Sequence, residues 1–277
     1  MKRIHLFEFE DQAWFPDWIR VLMTRYIAAM HRLFGTGDEV ADLAARALQH
    51  AGARRIHDLC SGHGGPQRAV LAALRGRHGL SDVQITLSDL YPNPQVAASF
   101  NDEDDSGIRY RTEPVDAAAP GDLEPGLRSM ICSLHHMRPE VAQSILSDAV
   151  RAEQPFLAYE ISDNSSPSLL WWTAFPIGAL LVLFVTLAVR PMTWRQGVFT
   201  YLIPVLPFFI GWDGAVSNAR TYGLTDLKTL LAGVPSSGYR WETGTLGSGP
   251  AKRLYLLGLP DREQGLEAED RGAPGVA

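Results

Sequence analysis

The segment IHDLCSGHGGP, residues 56–66, predicts a β-strand that runs into a glycine-rich turn and then into a helix. Glycines allow such a turn to bring its backbone close to a ligand, and the N-terminus of the following helix attracts anionic groups. No Gly-Lys-Ser or Gly-Lys-Thr follows, which excludes a P-loop. Because Cys60 and His63 interrupt the glycines, three interpretations stand: a cofactor loop, a cysteine active site or only a tight turn.

Short apolar runs alternate with helical patterns on both sides of this turn, which is typical of βαβ units and a parallel sheet. The runs read RRIHDLCS, VQITLSDL, IRYRTEPVD, RSMICSLH and PFLAYEIS. A closing pair, YRWETGTLG and AKRLYLLGLP, predicts a hairpin that adds antiparallel pairing at the sheet edge. The predicted fold class is therefore α/β: a Rossmann-like doubly wound sheet, mostly parallel, with a C-terminal antiparallel hairpin strand. N-terminal helices and an apolar helical insert complete it.

Four segments are predicted from these patterns. Residues 1–50 form an N-terminal helical lid, and residues 51–165 with 213–260 form the Rossmann-like domain. Residues 166–212 form the apolar insert, and residues 261–277 form a disordered polar tail.

Charge and cysteine usage exclude some classes of protein. The net charge is −6 with dispersed lysines and arginines, so nucleic acid is not an expected partner. Cys60 and Cys132 are the only cysteines and have no CxxC spacing, which predicts a reducing compartment, no disulfide framework and no metal site.

Polar residues recur where the predicted strands end, and ligands of open α/β sheets bind beyond those carboxyl ends. The strand-end residues, in chain order, are Asp58, Cys60, Ser61, Gly62, Gly64, Asp89, Leu90, Asp116, Ser133, His135, His136 and Glu160. An acidic residue that ends the second strand, here Asp89, can hold the two hydroxyls of a ribose. Asp116 can accept a hydrogen bond from an adenine amine. Each aspartate can equally be a helix cap or a turn residue.

These segments resemble class I S-adenosylmethionine-dependent methyltransferases over residues 50–165 and 210–260. DLCSGHG follows the family's Asp/Glu-x-Gly-x-Gly-x-Gly motif, with Cys60 in place of the first glycine. LSDLYP resembles the ribose-binding end of the second strand, and EPVDA resembles the adenine-side motif. CSLHHMRPEVAQSILSDA and WDGAVSNARTYGLTDLKTLL resemble two later segments. The resemblance implies one bound S-adenosylmethionine and assigns its contacts to Asp58, Cys60, Ser61, Gly62, Gly64, Asp89, Leu90, Asp116 and Ser133.

The resemblance assigns no catalytic residue, because methyl transfer from a sulfonium needs mainly positioning and a dry site. A base is needed only when the acceptor must lose a proton. His135, His136 and Glu160 are the candidate catalytic residues. A nucleophilic Cys60 would need a nearby base and a stabilised thiolate, which this chemistry does not require. Further candidates on the acceptor side are Glu10, Trp14, Tyr91, Trp212, Asp213 and Tyr222.

The apolar insert contains two runs. LLWWTAFPIGALLVLFVTLAV, residues 169–189, is long enough to cross a membrane, whereas VFTYLIPVLPFFIGW, residues 198–212, is short and contains two prolines. A single crossing would separate the last two strands from their sheet. We therefore expect a hairpin in or on the inner face of the cytoplasmic membrane, in an otherwise cytoplasmic protein. The alternative is a homodimer interface or a roof over an apolar pocket.

Three functions follow from these observations. The first is methyl transfer from S-adenosylmethionine to a small lipophilic acceptor at the membrane surface. The second is a catalytically inactive S-adenosylmethionine-binding module that the insert anchors or dimerises. The third is an NAD-linked oxidoreductase, since that fold shares the glycine turn and the acidic second strand.

Overall fold

The structure, a computed structural model, describes residues 1–103, 106–165, 167–248 and 252–261. Within them one seven-stranded sheet has the order β3-β2-β1-β4-β5-β7-β6. Its strands are β1 Arg55–Asp58, β2 Gln84–Leu87, β3 Ile108–Tyr110, β4 Leu127–Ile131, β5 Phe156–Glu160, β6 Tyr239–Leu246 and β7 Arg253–Pro260. Strands β1 to β5 pair in parallel, and β7 pairs antiparallel with both β5 and β6. The predicted fold class is confirmed.

Nine α-helices lie in the described residues: α1 Asp17–Phe34, α2 Thr36–Ala51, α3 Gln67–Arg77, α4 Pro94–Asn101, α5 Pro139–Arg151, α6 Ala174–Val185, α7 Trp194–Gly197, α8 Val205–Arg220 and α9 Leu224–Leu231. Strand β1 lies at the switch point, because Ile56 is in register with Ile85 of β2 on one side and with Leu127 of β4 on the other. The carboxyl ends of these strands therefore meet at one edge, where the glycine-rich turn follows β1.

Side chains of the central strands alternate between two apolar layers. Leu157 and Tyr159 of β5 join the cluster that contains α2 and α3. Phe156 and Ala158, the intervening residues, join the cluster that contains α5 and α9. Burial on both faces explains why these strands read as continuous apolar runs. Each fully buried large side chain contributes about 1.5–3 kcal/mol relative to exposure.

The two helices of the predicted lid pack in different places. Helix α2 lies on the sheet, where Leu48 joins the first cluster and Glu39 accepts a 2.7 Å hydrogen bond from the Tyr159 hydroxyl. Helix α1 instead packs on the insert, with Met23 and Tyr26 in a cluster with Val182 of α6. The division of the chain into domains stays a prediction. Of the predicted tail, residues 262–277 lie outside the described residues.

The apolar insert forms a helical hairpin. Leu169–Ala188 is one helical segment of 20 residues with mean hydropathy 2.0, long and apolar enough to cross a membrane by length and composition. Trp194–Leu202 and Val205–Arg220 follow as a pair of helices bent by 80°. Gly211 of α8 lies so close to α6 that a Cβ would sit 3.0 Å from the carbonyl oxygen of Phe175. Helix α8 continues without a break past residue 212, the predicted end of the insert, to Arg220.

Candidate functional site

The glycine-rich turn after β1 has a left-handed backbone at alternate positions. Cys60, Gly62 and Gly64 have φ values of 56°, 51° and 86°. A Cβ on Gly64 would lie 2.4 Å from Cζ of Phe100, so only glycine fits there. A Cβ on Gly62 would meet nothing within 4 Å. The turn therefore packs against the protein at Gly64 and borders open space at Gly62.

Asp58 fastens the turn to the sheet. Its side chain is buried, and its two carboxylate oxygens accept hydrogen bonds from the hydroxyls of Ser61 (2.8 Å) and Ser129 (2.7 Å). Burial raises the pKa of Asp58 to about 7, although these hydroxyls act in the opposite direction. Asp58 and Ser61 thus bind each other and hold the shape of the turn.

Asp89 links the end of β2 to the same turn. Its Oδ2 accepts a 2.9 Å hydrogen bond from the Gly62 amide, and its Oδ1 accepts one of 2.9 Å from the Tyr91 amide. The Tyr110 hydroxyl of β3 donates to the Gly62 carbonyl at 2.7 Å. Gly62 is therefore held from both sides. Leu90, beside Asp89, is 42% exposed.

Asp116 adopts a turn and does not end a strand. Strand β3 ends at Tyr110, so the predicted extent of the third strand was too long. Pro114, which has no amide hydrogen, lies in the intervening loop. Asp116 Oδ1 accepts a 2.9 Å hydrogen bond from the Ala118 amide, which is the turn reading of this residue. The loop nevertheless returns to the site, because the Val115 amide donates to the Asp89 carbonyl at 2.8 Å.

Cys60 lies near three carboxylates of the site, those of Asp58, Asp89 and Asp116. Burial raises the pKa of its thiol to about 12, and the negative charges of Asp89, Asp58 and Asp116 act in the same direction. The pKa of Cys132 is also raised well above its ordinary value by burial. A nucleophile needs the opposite environment, one that stabilises the thiolate. The surroundings of Cys60 therefore disfavour the thiolate that a nucleophilic cysteine requires.

Replacement of Cys60 by glycine should leave ligand binding to the turn within about threefold of the original chain, or ~0.6 kcal/mol. Glycine adopts φ 56° freely, so the change preserves the backbone conformation. Calorimetric titration with S-adenosylmethionine and an assay of methyl transfer measure the effect. Cys132→Ala serves as the matched control for loss of a buried thiol. If Cys60→Gly loses turnover but still binds S-adenosylmethionine, while Cys132→Ala keeps both, the interpretation of Cys60 as an active-site cysteine would be supported.

A second group of polar residues, here called the acid–histidine cluster, lies at the same edge of the sheet. It contains Glu8, Asp11, His135, His136, Glu160 and Arg220. His135 Nδ1 lies 2.8 Å from Glu160 Oε2, and its backbone amide donates to Glu160 Oε1 at 3.1 Å. Burial opposes protonation of His135, yet the Glu160 carboxylate dominates and raises the pKa of the imidazole. The structure therefore brings together His135, His136 and Glu160, the three candidate catalytic residues, whose catalytic role stays a prediction.

Glu8, Asp11 and Arg220 complete the cluster from the N-terminal segment and from the end of α8. Arg220 Nη1 contacts Glu8 Oε1 at 2.8 Å and Asp11 Oδ2 at 3.0 Å. Asp11 Oδ2 also lies 3.4 Å from His136 Nδ1. Burial acts to raise the pKa of Asp11, but His136 and Arg220 outweigh it and hold that pKa below its ordinary range. The sequence analysis missed these three residues.

Asp213 anchors the N-terminal segment to α8. Its carboxylate oxygens accept hydrogen bonds from the amides of Phe9 (2.7 Å) and Glu10 (3.1 Å). Burial raises the pKa of Asp213 to about 7 and that of Glu10 to about 8. The indole of Trp212 donates to the Phe7 carbonyl at 3.0 Å. Of the proposed acceptor-side residues, Glu10, Trp212 and Asp213 therefore lie beside the cluster.

The remaining acceptor-side candidates lie elsewhere. Tyr91 is 84% exposed beside Asp89, and Trp14 is 68% exposed. Tyr222 is buried, and its hydroxyl donates to the Met137 carbonyl at 2.7 Å. The structure does not place these three side chains in the cluster.

Ser133 connects the turn and the cluster along the chain. It lies between β4 and the short 3-10 helix Leu134–His136. Its hydroxyl is buried and has no hydrogen-bond partner among the described residues, so it is a free polar group at the ligand edge. Helix α1 also contacts the turn, because Oγ1 of Thr24 lies 3.4 Å from Nδ1 of His63. Because β1 and β4 are neighbouring parallel strands, the turn that follows β1 and the histidines that follow β4 lie at the same edge of the sheet.

Comparison with known proteins finds similarity only among solved structures. No protein-family model matches the chain, and no curated protein matches it. PigF, solved with SAH, is 19% identical at a TM-score of 0.43, and the match covers 87% of this chain and 62% of that chain. An O-methyltransferase family 2 protein from Planctomyces limnophilus, in complex with apigenin, is 14% identical at a TM-score of 0.46. That match covers 86% of this chain and 61% of that chain.

Human N-acetylserotonin methyltransferase, in complex with SAM, is 14% identical at a TM-score of 0.42, and the match covers 80% of this chain and 52% of that chain. The chain therefore spans between about half and three fifths of the length of these proteins. The strand order and the antiparallel C-terminal hairpin of this chain confirm the α/β Rossmann-like fold that the resemblance to class I methyltransferases implies.

Proposed function

We propose that the chain transfers a methyl group from S-adenosylmethionine to a small lipophilic acceptor. The observation that carries this proposal is the turn after β1, where Gly62 borders open space while Asp89 reaches it from β2. The residues present fit the cofactor. Each Asp89 oxygen accepts one backbone amide and retains a lone pair for a ribose hydroxyl. The unpartnered Ser133 hydroxyl offers a further polar contact.

The other cofactor contacts follow from the same edge. Helix α3 begins at Gln67, directly after the turn, and its N-terminus would suit the carboxylate of the cofactor. Leu90 offers an exposed apolar contact and Asp116 an exposed carboxylate for the adenine. When bound, S-adenosylmethionine supplies an electrophilic methyl group on a sulfonium. The protein's part is to hold the acceptor in line with it and to exclude water.

His135, His136 and Glu160 are the proposed catalytic residues, and they act on the acceptor. The carboxylate of Glu160 fixes both the amide and the imidazole of His135. Such a fixed group can remove the proton from an acceptor hydroxyl or bind its oxygen. Helix α8 connects this cluster directly with the apolar hairpin, since Ile210 packs in the hairpin and Arg220 in the cluster. This continuity supports a lipophilic acceptor.

The apolar hairpin is proposed to lie on the membrane surface. Ile177, Leu180, Phe184 and Leu187 follow helical spacing on Leu169–Ala188 and are 68%, 57%, 64% and 61% exposed. Only 17% of that segment is buried, so a large apolar face lacks a covering partner within the chain. Four arginines lie at one end of the hairpin, where they can meet anionic headgroups: Arg25, Arg32, Arg190 and Arg195.

Replacement of Ile177, Leu180 and Phe184 by glutamine should reduce binding to anionic phosphatidylglycerol vesicles by at least about 100-fold. Burial of each of these side chains in the lipid would contribute roughly 1.5–3 kcal/mol to the free energy of binding. Vesicle flotation measures the effect, and the double variant Val141→Gln/Leu224→Gln, at exposed positions on other helices, is the matched control. If the chain stays in solution without detergent and forms a stable dimer, the membrane proposal is wrong, and the apolar face is instead a homodimer interface.

The methyl-transfer proposal is tested with purified chain, methyl-labelled S-adenosylmethionine and a lipid extract. Formation of S-adenosylhomocysteine together with a labelled, organic-soluble product supports it. Binding of the cofactor without turnover in the presence of vesicles would indicate the inactive module. Binding of NAD in place of S-adenosylmethionine would indicate the oxidoreductase.

A further inference from the structure

We propose that Glu8, His135 and His136 bind a divalent transition-metal ion of the Zn²⁺ class. Glu8 comes from the N-terminal segment, and the histidines come from the 3-10 helix after β4. Two imidazoles and one carboxylate form a known set of zinc ligands in catalytic sites. Neither the cysteine spacing nor the motifs of the sequence predict this site, because its residues meet only in the folded chain.

The ligand atoms converge on one point. His135 Nε2 lies 3.9 Å from Glu8 Oε1, and His136 Nε2 lies 4.0 Å from Glu8 Oε2. All three ligand atoms lie within 4.8 Å of one another. These separations are too long for hydrogen bonds. Bonds of about 2.1 Å to a tetrahedral ion would place the ligands roughly 3.4 Å apart, so an ion would draw them together by at most about 1.4 Å.

A second observation points to a ligand between these atoms. His135 is 5% exposed, and its buried Nε2 has no hydrogen-bond partner in the described part of the chain. That nitrogen is directed toward Glu8. A buried imidazole nitrogen without a partner loses the hydrogen bond that it makes in water, and this costs about 1–3 kcal/mol. A metal ion at this point would satisfy it.

The outer contacts of both histidines have the arrangement found around bound metals. His135 Nδ1 lies 2.8 Å from Glu160 Oε2, and His136 Nδ1 lies 3.4 Å from Asp11 Oδ2. Metal-binding histidines almost always donate their other ring N–H to such an acceptor, which orients the ring. Both imidazoles therefore turn Nδ1 to a carboxylate and Nε2 to Glu8.

The charges of the cluster also favour a cation. Three carboxylates, those of Glu8, Asp11 and Glu160, lie in the cluster. They outnumber the two neighbouring guanidinium groups, that of Arg220 and that of Arg3, which donates to the His135 carbonyl, so one negative charge remains in excess. Arg220 contacts Glu8 through Oε1, which leaves Glu8 Oε2 for the ion. Resting on the proposed function, the ion would act as a Lewis acid that binds the acceptor hydroxyl and lowers its pKa, so that the proton passes to water. The acceptor oxygen would then form a bond to the methyl carbon as the carbon–sulfur bond breaks and S-adenosylhomocysteine leaves. In the metal-bound state the two histidines would hold the ion and would not themselves take the proton.

Metal content of the full chain tests this site without any activity assay. The chain is stripped with a chelator, dialysed against Zn²⁺ or Co²⁺ and analysed by elemental mass spectrometry. We expect one ion per chain, and a visible Co²⁺ absorption spectrum without the charge-transfer band of a thiolate ligand. Failure to retain stoichiometric Zn²⁺ or Co²⁺ would overturn the proposal. Cofactor binding, titrated in parallel, decides the methyltransferase proposal separately.

Variants locate the ion. His136→Gln, at a partly exposed ligand, should lose the stoichiometric ion, and Glu8→Gln should behave alike. Glu160→Gln, at an outer contact, should weaken Zn²⁺ binding about 10–100-fold. His78→Gln removes a histidine that pairs with Asp42 on the surface and should change nothing. Full metal content in a folded His136→Gln chain, checked by circular dichroism, would place any bound ion elsewhere and refute the site.

Discussion

Replacement of Asp89 by alanine should weaken S-adenosylmethionine binding by at least about 100-fold, which corresponds to ~2.7 kcal/mol. Asp89 is the proposed acceptor for two ribose hydroxyls, and hydrogen bonds to charged groups contribute about 1.5–3 kcal/mol each. The same carboxylate also accepts the Gly62 amide at 2.9 Å, so its removal loosens the turn that borders the open space. Isothermal titration calorimetry measures the dissociation constant directly.

Two further variants distinguish the loss of cofactor recognition by Asp89 from a general loss of structure. Asp82→Ala changes an exposed aspartate that pairs with Arg54 before the same strand, at its opposite end, and should leave the affinity unchanged. Asp89→Asn keeps the shape of the side chain without its charge and should give an intermediate affinity. If Asp89→Ala binds the cofactor as tightly as the original chain while remaining folded, the assignment of the ribose site is wrong.

The sheet and the ligand edge could be predicted because their signals are local. Apolar runs between helical patterns predicted the five parallel strands, with β3 too long, and the closing pair of runs predicted the two strands of the hairpin. Strand β5 shows the physical reason, since its alternate residues enter different layers. Strand-end acids likewise predicted the position of Asp89, because the carboxyl ends of neighbouring parallel strands share one edge. Asp116 shows the limit of this argument, since an aspartate that forms a turn has the same local pattern as one that binds a ligand.

The acid–histidine cluster could be predicted only in part because its signal is not local. His135 and His136 follow a strand and were visible, but Glu8 and Arg220 meet across 212 positions of the chain. An acidic N-terminal segment without periodicity gives no indication of its partner. Helix α8 shows the same limit: its first half is apolar and its second half carries Asp213 and Arg220, so composition alone did not indicate that one helix continues past residue 212.

Replacement of Arg220 by glutamine should lower the free energy of unfolding of the metal-free chain by about 3–5 kcal/mol. Arg220 is 5% exposed and contacts both Glu8 and Asp11, and Glu8 is 1% exposed. Without the guanidinium, a buried carboxylate would remain uncompensated in a poorly solvated place. Urea denaturation followed by circular dichroism measures the loss. Arg46→Gln, which breaks a bidentate but exposed contact with Glu242, should cost less than about 1 kcal/mol.

The double variant Arg220→Gln/Glu8→Gln identifies the cause of that loss. If destabilisation comes from the stranded charge of Glu8, its neutral isostere should recover more than half of the free energy, because two neutral amides can hydrogen-bond to each other. If the loss came from missing packing around the arginine, the second change would add to the first. A double variant less stable than Arg220→Gln would therefore contradict the electrostatic origin. Asp11 remains paired with His136 in both variants and affects the two measurements equally.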